Sequence, residues 1–377
     1  MKQRLLRTAA FSSILFVFGC FVGAPGSFGA SADPALPKAK QEAEAAGYVF
    51  FTSHDEIVTG AKKEARLRLL GSLAADTYKA LVAAFKKHYP FIVLHTEEIK
   101  STDAHQPFIL ELKAGRATEW DVLDMAPDFY AQYLPFVRKV DLLGMATQKV
   151  LNIPLPMIDP KNRSIVSTAS VIQAVAYNRK LLSEEKVPNG WEDFLKPEFK
   201  GKKFLVDIRP QGFAALAAGL GEKWALEYGA KIAAQEPIWV RGQSRSFAGM
   251  AIGENALFLL ANYHSCMRAA KKDASGSLQC KVIEPVPVRL DEFAAVSTVS
   301  SHPYSGLLWI EFLSSPEGQS IIDKYETFNT SIYSSETALA RAAQGKKLSV
   351  NNWDTLQNTS RWEEMVFKVF GFPKAEK

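Results

Sequence analysis

Apolar strand-like segments followed by helix-like segments recur along this chain, and that alternation restricts its fold more than any other feature. Segments 66–70, 91–96 and 120–123 each have the apolar character of a short strand. After the first of them, apolar residues spaced three and four positions apart predict one buried helical face: Tyr78, Leu81, Val82 and Phe85. Strands that alternate with helices predict an α/β protein with a largely parallel sheet.

A second α/β unit is predicted further along the chain. Segments 171–177, 203–208, 238–240 and 256–260 predict strands, and 211–234 predicts a helix. A length of 377 residues suits two lobes of ordinary size, each with its own core.

The first 32 residues have the pattern of a secretory signal peptide. A basic start is followed by an apolar run from Phe11 to Val22 and by the cleavage pattern Ala30-Ser31-Ala32. Cys20 leaves lipoprotein anchoring as the less favoured alternative, and residues 33–54 form an N-terminal extension. We therefore expect export to the periplasm.

Charge and cysteine content narrow the function further. Without the leader and its three basic residues the net charge falls from +5 to +2, which gives no basis for nucleic-acid or membrane-surface binding. Export also allows Cys266 and Cys280 to pair in a disulfide that closes a loop of about 15 residues and stabilises the fold by about 3 kcal/mol. Two buried free thiols are the alternative.

Sequence motifs of enzymes are absent from this chain. It contains no G-x-S-x-G elbow, no phosphate-binding Gly-Lys-Ser loop, no H-E-x-x-H and no G-x-G-x-x-G after a strand. We therefore expect a binding protein, and a secreted hydrolase that uses the same cleft stays open as an alternative.

Polar residues at the ends of predicted strands are the candidate ligand contacts, because ligands of α/β sheets bind outside the carboxyl ends of strands. Ser72 either holds an anion with the following helix amides or caps that helix. Arg209 either binds a carboxylate or phosphate or pairs with Asp207. Arg241 and Arg245 form a donor cluster around Ser244, which can cap the next helix; a solvated turn is the alternative. Further candidates follow other strands or lie in a polar loop: Asn262, Tyr263, His264, Tyr177, Lys100 and Ser101.

The chain also resembles the extracellular solute-binding proteins of ATP-driven importers, in the branch that includes ferric-ion binders. The resemblance runs in order through 80–90 (ALVAAFKKHYP), 114–122 (AGR…DV), 176–178 (AYN), 191–202 (WEDF…KGK), 251–254 (AIGE) and 314–319 (SSPEGQ). It implies a type II-like periplasmic-binding fold, with a hinge and a ligand cleft between two lobes. The lobes implied are 55–172 with 289–335, and 173–288 with 336–377.

The same resemblance implies how such a protein works. It would be a monomer without a cofactor that hands a small solute to a permease and an ATPase, meets the membrane only through the permease, and closes on its ligand; a sensor is the alternative partner. Ferric binders of this branch place two consecutive tyrosines where this chain has Asn262-Tyr263-His264. Tyr263 and His264 would be metal ligands only if the solute is ferric ion. The arginines favour an anionic solute or a metal–anion complex.

Overall fold

The computed structural model describes residues 35–99 and 104–371, and it is a mixed α/β fold. The strands are β1 (Arg66–Gly71), β2 (Val93–Glu98), β3 (Val122–Met125), β4 (Val166–Asn178), β5 (Leu205–Asp207), β6 (Ile238–Val240), β7 (Leu257–Asn262), β8 (Leu278–Lys281), β9 (Val286–Val296) and β10 (Leu348–Asn351).

The helices up to the middle of the chain are α1 (Ala35–Ala45), α2 (His54–Glu64), α3 (Ala75–His88), α4 (His105–Lys113), α5 (Tyr130–Tyr133), α6 (Leu142–Thr147), α7 (Gln211–Leu220) and α8 (Glu222–Ala234). Those that follow are α9 (Gln243–Ala251), α10 (Tyr263–Lys272), α11 (Pro303–Ser314), α12 (Pro316–Tyr325), α13 (Ala338–Ala343), α14 (Trp353–Leu356) and α15 (Thr359–Val369). The prediction of one helix over 211–234 is wrong, because Gly221 lies at φ +92° and separates α7 from α8.

Two half-sheets share a pair of long central strands. The strand order is β2-β1-β3-β9-β4-β7-β5-β6. The β1–β2, β1–β3, β5–β6 and β5–β7 pairs are parallel, whereas β9 is antiparallel to both β3 and β4. The β1–β3 half belongs to the first lobe and the β5–β8 half to the second.

The strand β4 changes partners in its middle. Its residues from Val166 to Ile172 pair with β9, and from Gln173 onward the strand pairs with β7 and, from Val175, with β8. All thirteen residues of β4 are buried. One continuous strand therefore crosses from the first lobe to the second, and β9 runs antiparallel beside it as the other connection.

Each lobe has apolar layers on both faces of its half-sheet. In the first lobe Phe85 and Trp309 meet edge to face, with ring centroids 5.2 Å apart, on the side covered by α2, α3 and α11. The helix α1 packs on this core through Ala43, although the signal peptide itself lies outside the described residues. In the second lobe Phe213 meets Phe370 across α7 and the end of α15, 5.3 Å apart.

The disulfide lies on the other face of the second lobe. Cys266 of α10 is joined to Cys280 of β8, with their Cα atoms 6.2 Å apart. The bond ties the helix to the edge strand that pairs with β4.

Near its end the chain contacts both lobes. The Trp353 ring of α14 lies 5.1 Å from Phe293 of β9, whereas α15 packs on α7 and α8.

Among the described residues, no helix is both long and apolar enough to cross a bilayer.

Candidate binding cleft

A cavity of about 280 Å³ opens where the strand ends of the two lobes face each other. Most of the residues that line it come from the ends of β1, β3, β5 and β7 and from the middle of β9. The carboxyl ends of strands are where α/β sheets bind ligands. They are Ser72, Ile99, His105, Asp124, Ala126, Pro127, Asp128, Arg209, Gln211, Asn262, Arg289, Asp291 and Glu292.

The first lobe contributes a pair of carboxyl groups bridged by a hydroxyl. The Ser72 backbone N–H donates to Asp124 Oδ2 (2.6 Å), and Ser72 Oγ lies 2.6 Å from the same oxygen. Ser72 Oγ also contacts Glu292 Oε2. A hydroxyl has only one proton to donate, so one of the two carboxyl groups must itself be protonated and donate to Ser72.

Burial shows which of the two carboxyl groups holds a proton more strongly. Desolvation raises the pKa of Asp124 to about 6. Desolvation, followed by repulsion from Asp124 and Asp291, raises the pKa of Glu292 well above its ordinary value. Burial therefore favours the protonated form of both carboxyl groups, and that of Glu292 more strongly.

The backbone at Glu292 is strained. Its φ is +52°, in the left-handed region that non-glycine residues rarely adopt. The Thr168 hydroxyl of β4 holds this conformation by donating to the Glu292 carbonyl at 2.9 Å. Strain of this kind clusters at functional sites because the surrounding structure must over-determine it.

His105 closes the first-lobe side as a neutral group. Its Nδ1 lies 2.8 Å from the Tyr133 hydroxyl, and its ring stacks on Phe129 with centroids 5.9 Å apart. Burial lowers the pKa of His105 to about 4. It therefore adds no positive charge to the cleft at neutral pH.

Two guanidinium groups also line the cavity, Arg209 after β5 of the second lobe and Arg289 within β9. Arg209 makes a two-point ion pair with Asp207, through Nη2 at 2.8 Å and Nε at 3.1 Å, which is the salt bridge that the sequence left open. Arg289 Nη2 lies 3.5 Å from Asp291 Oδ2. Arg289 Nε is buried and has no hydrogen-bond partner within the described ranges.

The lobes touch across the cleft. Gln211 Nε2, at the start of α7, donates to Asp128 Oδ2 of the first lobe at 3.4 Å. Within the second lobe, Gln173 Nε2 of β4 donates to Asn262 Oδ1 at 2.8 Å and so holds this cleft residue in place. Glu363 of α15 lies near Asp128, and burial together with repulsion from that carboxylate raises the pKa of Glu363 to about 7.

The structure places some of the predicted contact residues in the cleft and others elsewhere. Ser72, Arg209 and Asn262 line the cleft. Tyr177 lies instead in the apolar core of the second lobe, 6% exposed. Lys100 and Ser101 fall outside the described residues.

The predicted donor cluster lies apart from the cleft lining. Arg241, Ser244 and Arg245 are exposed at the start of α9. Ser244 does not cap this helix, which was the prediction: Gly242 holds the N-cap position and Ser244 is already inside the helix. Their role in ligand binding stays a prediction.

Tyr263 and His264 begin α10, next to the cleft residue Asn262. The Tyr263 ring packs on Phe328, 4.8 Å between centroids. His264 Nε2 lies 2.9 Å from Ser265 Oγ, and burial lowers the pKa of His264 to about 3. Throughout the part of the chain that is described, no group of three or more His, Cys, Asp or Glu side chains could hold a metal ion.

Sequence reasoning missed most of the cleft's charged groups: Asp124, Asp128, Arg289, Asp291 and Glu292. Four of these follow or lie within apolar strands instead of within polar loops. The available signal was the run VPVRLDEFAAV, in which three charged residues interrupt a segment that is otherwise strand-like.

The fold and the cleft define a two-lobed binding protein, and the family comparison agrees. Residues 134–359 match the model of the bacterial extracellular solute-binding proteins, and the chain belongs to that family. The family consists of binding proteins that act outside the cytoplasm, not of enzymes. No curated protein matches the chain in sequence.

Solved structures share the fold at low sequence identity. An iron- and citrate-bound FutA (IdiA) from Trichodesmium is 16% identical with a TM-score of 0.64, covering 81% of this chain and 99% of its own. Iron-bound HitA from Pseudomonas aeruginosa is 18% identical with a TM-score of 0.59, covering 81% and 99%. The substrate-binding protein of an ABC transporter from Agrobacterium tumefaciens is 17% identical with a TM-score of 0.57, covering 80% and 95%.

Proposed function

We propose that this protein captures a small solute with an acid group in the periplasm and delivers it to the permease of an ABC importer. It would act as a monomer without a cofactor, released by cleavage after residue 32. The proposed hinge lies at residues 172/173 and 288/289, and the change of partners along β4 supports the first of these.

The single observation that carries this function is that side chains of both lobes line one cavity. Ser72, Asp124 and Asp128 come from the first lobe, whereas Arg209 and Gln211 come from the second. A solute that contacts both sides binds the closed form better than the open one, and that difference drives closure. Without it, a permease would have no signal that the carrier is loaded.

The acid group of the solute is assigned to the guanidinium side. Arg289 lines the cavity, and 15% of its side chain is exposed there. Arg209 is held by Asp207 in a fixed orientation while 49% of its side chain stays exposed. A fixed planar guanidinium suits two-point binding of a carboxylate or phosphate.

Ferric ion is the second candidate, favoured by the iron bound in two of the structural neighbours. Tyr263 and His264 would then be the ligands. Native mass spectrometry of protein purified from its own periplasm separates the candidates. An organic acid retained at one copy per chain supports the anionic solute. Retained iron would instead identify ferric ion as the ligand.

Matched arginine variants test the cleft itself. Arg289→Gln should weaken binding of the retained solute about 10- to 100-fold, because a charged hydrogen bond is lost. Arg116→Gln, at an exposed position between α4 and β3 that does not line the cavity, should leave it unchanged. Equal affinity of both variants, with unfolding midpoints like the wild type, would refute the assignment of the cleft. Solute uptake by cells that lack the protein tests delivery.

A further inference from the structure

The cleft holds more negative than positive charge. Four described lining residues are carboxylic acids, Asp124, Asp128, Asp291 and Glu292, and two are arginines. Both arginines already face a carboxylate: Arg209 pairs with Asp207, and Arg289 Nη2 lies 3.5 Å from Asp291 Oδ2. An acid group on the solute would form an ion pair only with Arg289. The carboxyl groups of Asp124, Asp128 and Glu292 would still have no positive partner.

The surplus acid groups are concentrated on one wall of the cavity. Asp124 and Glu292 meet at Ser72, and Asp128 follows the same strand as Asp124. Neither an arginine nor a lysine of the described chain forms an ion pair with Asp124 or Glu292. Buried carboxylates without cations hold a proton instead, as this pair does, or accept a cation from a ligand.

We propose that the solute is a zwitterion of amino-acid size, with its protonated amine docked between Asp124 and Glu292 and its acid group at Arg289. This rests on the proposed carrier function and specifies the solute class of the same cleft. An ammonium group has three N–H donors, which match the carboxylate oxygens and the Ser72 hydroxyl. The cavity of about 280 Å³ lies at the small end for ligand pockets.

Binding of the amine expels a proton. Before the amine binds, Asp124 and Glu292 hold a proton between them at Ser72. An ammonium in contact with both carboxyl groups stabilises their ionised forms, so that proton leaves to solvent. The groups that face Glu292 are Asp124 of β3, Asp291 of β9, Tyr78 of α3 and Glu326 after α12. All are acids or a neutral phenol, so none supplies the positive charge that the amine would bring.

A matched probe series tests the charge requirement. We would measure the unfolding midpoint of the full chain, stripped of retained solute, with the twenty α-amino acids and with ω-amino acids of three to six carbons. For the best ω-amino acid, the amine and the carboxylic acid of the same carbon chain serve as single-charge controls. Only zwitterions should raise the midpoint. Stabilisation by the acid alone, or by no zwitterion at all, overturns the inference.

Variants test where the amine binds. Asp124→Asn should weaken the stabilising zwitterion about 10- to 100-fold by removing a charged acceptor. Glu119→Gln is the matched control, since Glu119 is exposed at the opposite end of β3. Calorimetry in two buffers of different ionisation enthalpy should find about one proton released in the wild type. An Asp124→Asn affinity equal to the control, or no proton released, overturns the docking.

The two proposals fail in different ways. A retained solute without an amine overturns the zwitterion but leaves the carrier function standing. Unchanged uptake in cells without the protein, with no solute retained by the purified chain, overturns the carrier function itself.

Discussion

Replacement of Asp124 by Asn should change how stability depends on pH. The Asp124 carboxyl has a pKa of about 6 in the folded protein, raised by burial, against about 3.9 in an unfolded chain. Because the folded pKa is the higher one, this group's contribution to stability is fully present below pH 4 and is lost as the pH rises through 6. Between pH 5.0 and 7.5 that loss amounts to about 1.4 kcal/mol of unfolding free energy.

The measurement is urea unfolding followed by tryptophan fluorescence at both pH values. The side-chain oxygen of an asparagine still accepts from the Ser72 backbone and hydroxyl, so Asp124→Asn keeps the local hydrogen bonds. The variant should lose about 1.4 kcal/mol less than the wild type between pH 5.0 and 7.5, and Glu119→Gln should behave as the wild type. Parallel pH profiles for wild type and Asp124→Asn would refute the buried-carboxylate reasoning.

Three further outcomes follow from contacts elsewhere. The pKa of His264 is about 3 in the folded protein, so its contribution to the free energy of unfolding is present above pH 6.5 and is lost as the pH falls. Between pH 7 and 5 the free energy of unfolding of His264→Gln should fall by about 2 kcal/mol less than that of the wild type in the same urea assay. A double Cys266→Ser and Cys280→Ser variant should unfold with about 3 kcal/mol less free energy, and reduction of the wild type should match it. Gly71→Ala places a Cβ against the Tyr78 hydroxyl, which should cost about 1–3 kcal/mol. The cost should shrink in a Tyr78→Phe background, and an equal cost there would contradict the clash.

Much of the fold could be predicted from the sequence because its periodicity is local. The strand predicted at 238–240 has those bounds in the structure, and the strand at 256–260 is shifted by one or two residues. The β4 strand was predicted only from Val171, since the small polar residues from Ser167 to Ser170 give no apolar alternation. These residues are buried because β9 covers their backbone, a contact between segments more than a hundred residues apart.

The site was harder to predict than the fold. Ser72, Arg209 and Asn262 were found because each follows an apolar strand, and the carboxyl-end rule then places them at the cleft. Glu292 escaped that rule because it lies inside β9, turned into the cleft by a left-handed backbone. Such a conformation depends on the Thr168 contact from another strand, and no local pattern announces it.

The position of the long strand β9 bears on how solute binding is coupled to lobe closure. Arg289, Asp291 and Glu292 lie on the strand at the proposed hinge, so in the proposed closure the backbone that bends is also the backbone that contacts the solute. A captured molecule would therefore stiffen the joint directly, without a relay through distant side chains. Substitutions along this strand should therefore change solute affinity and lobe closure together, so that neither property can be altered alone.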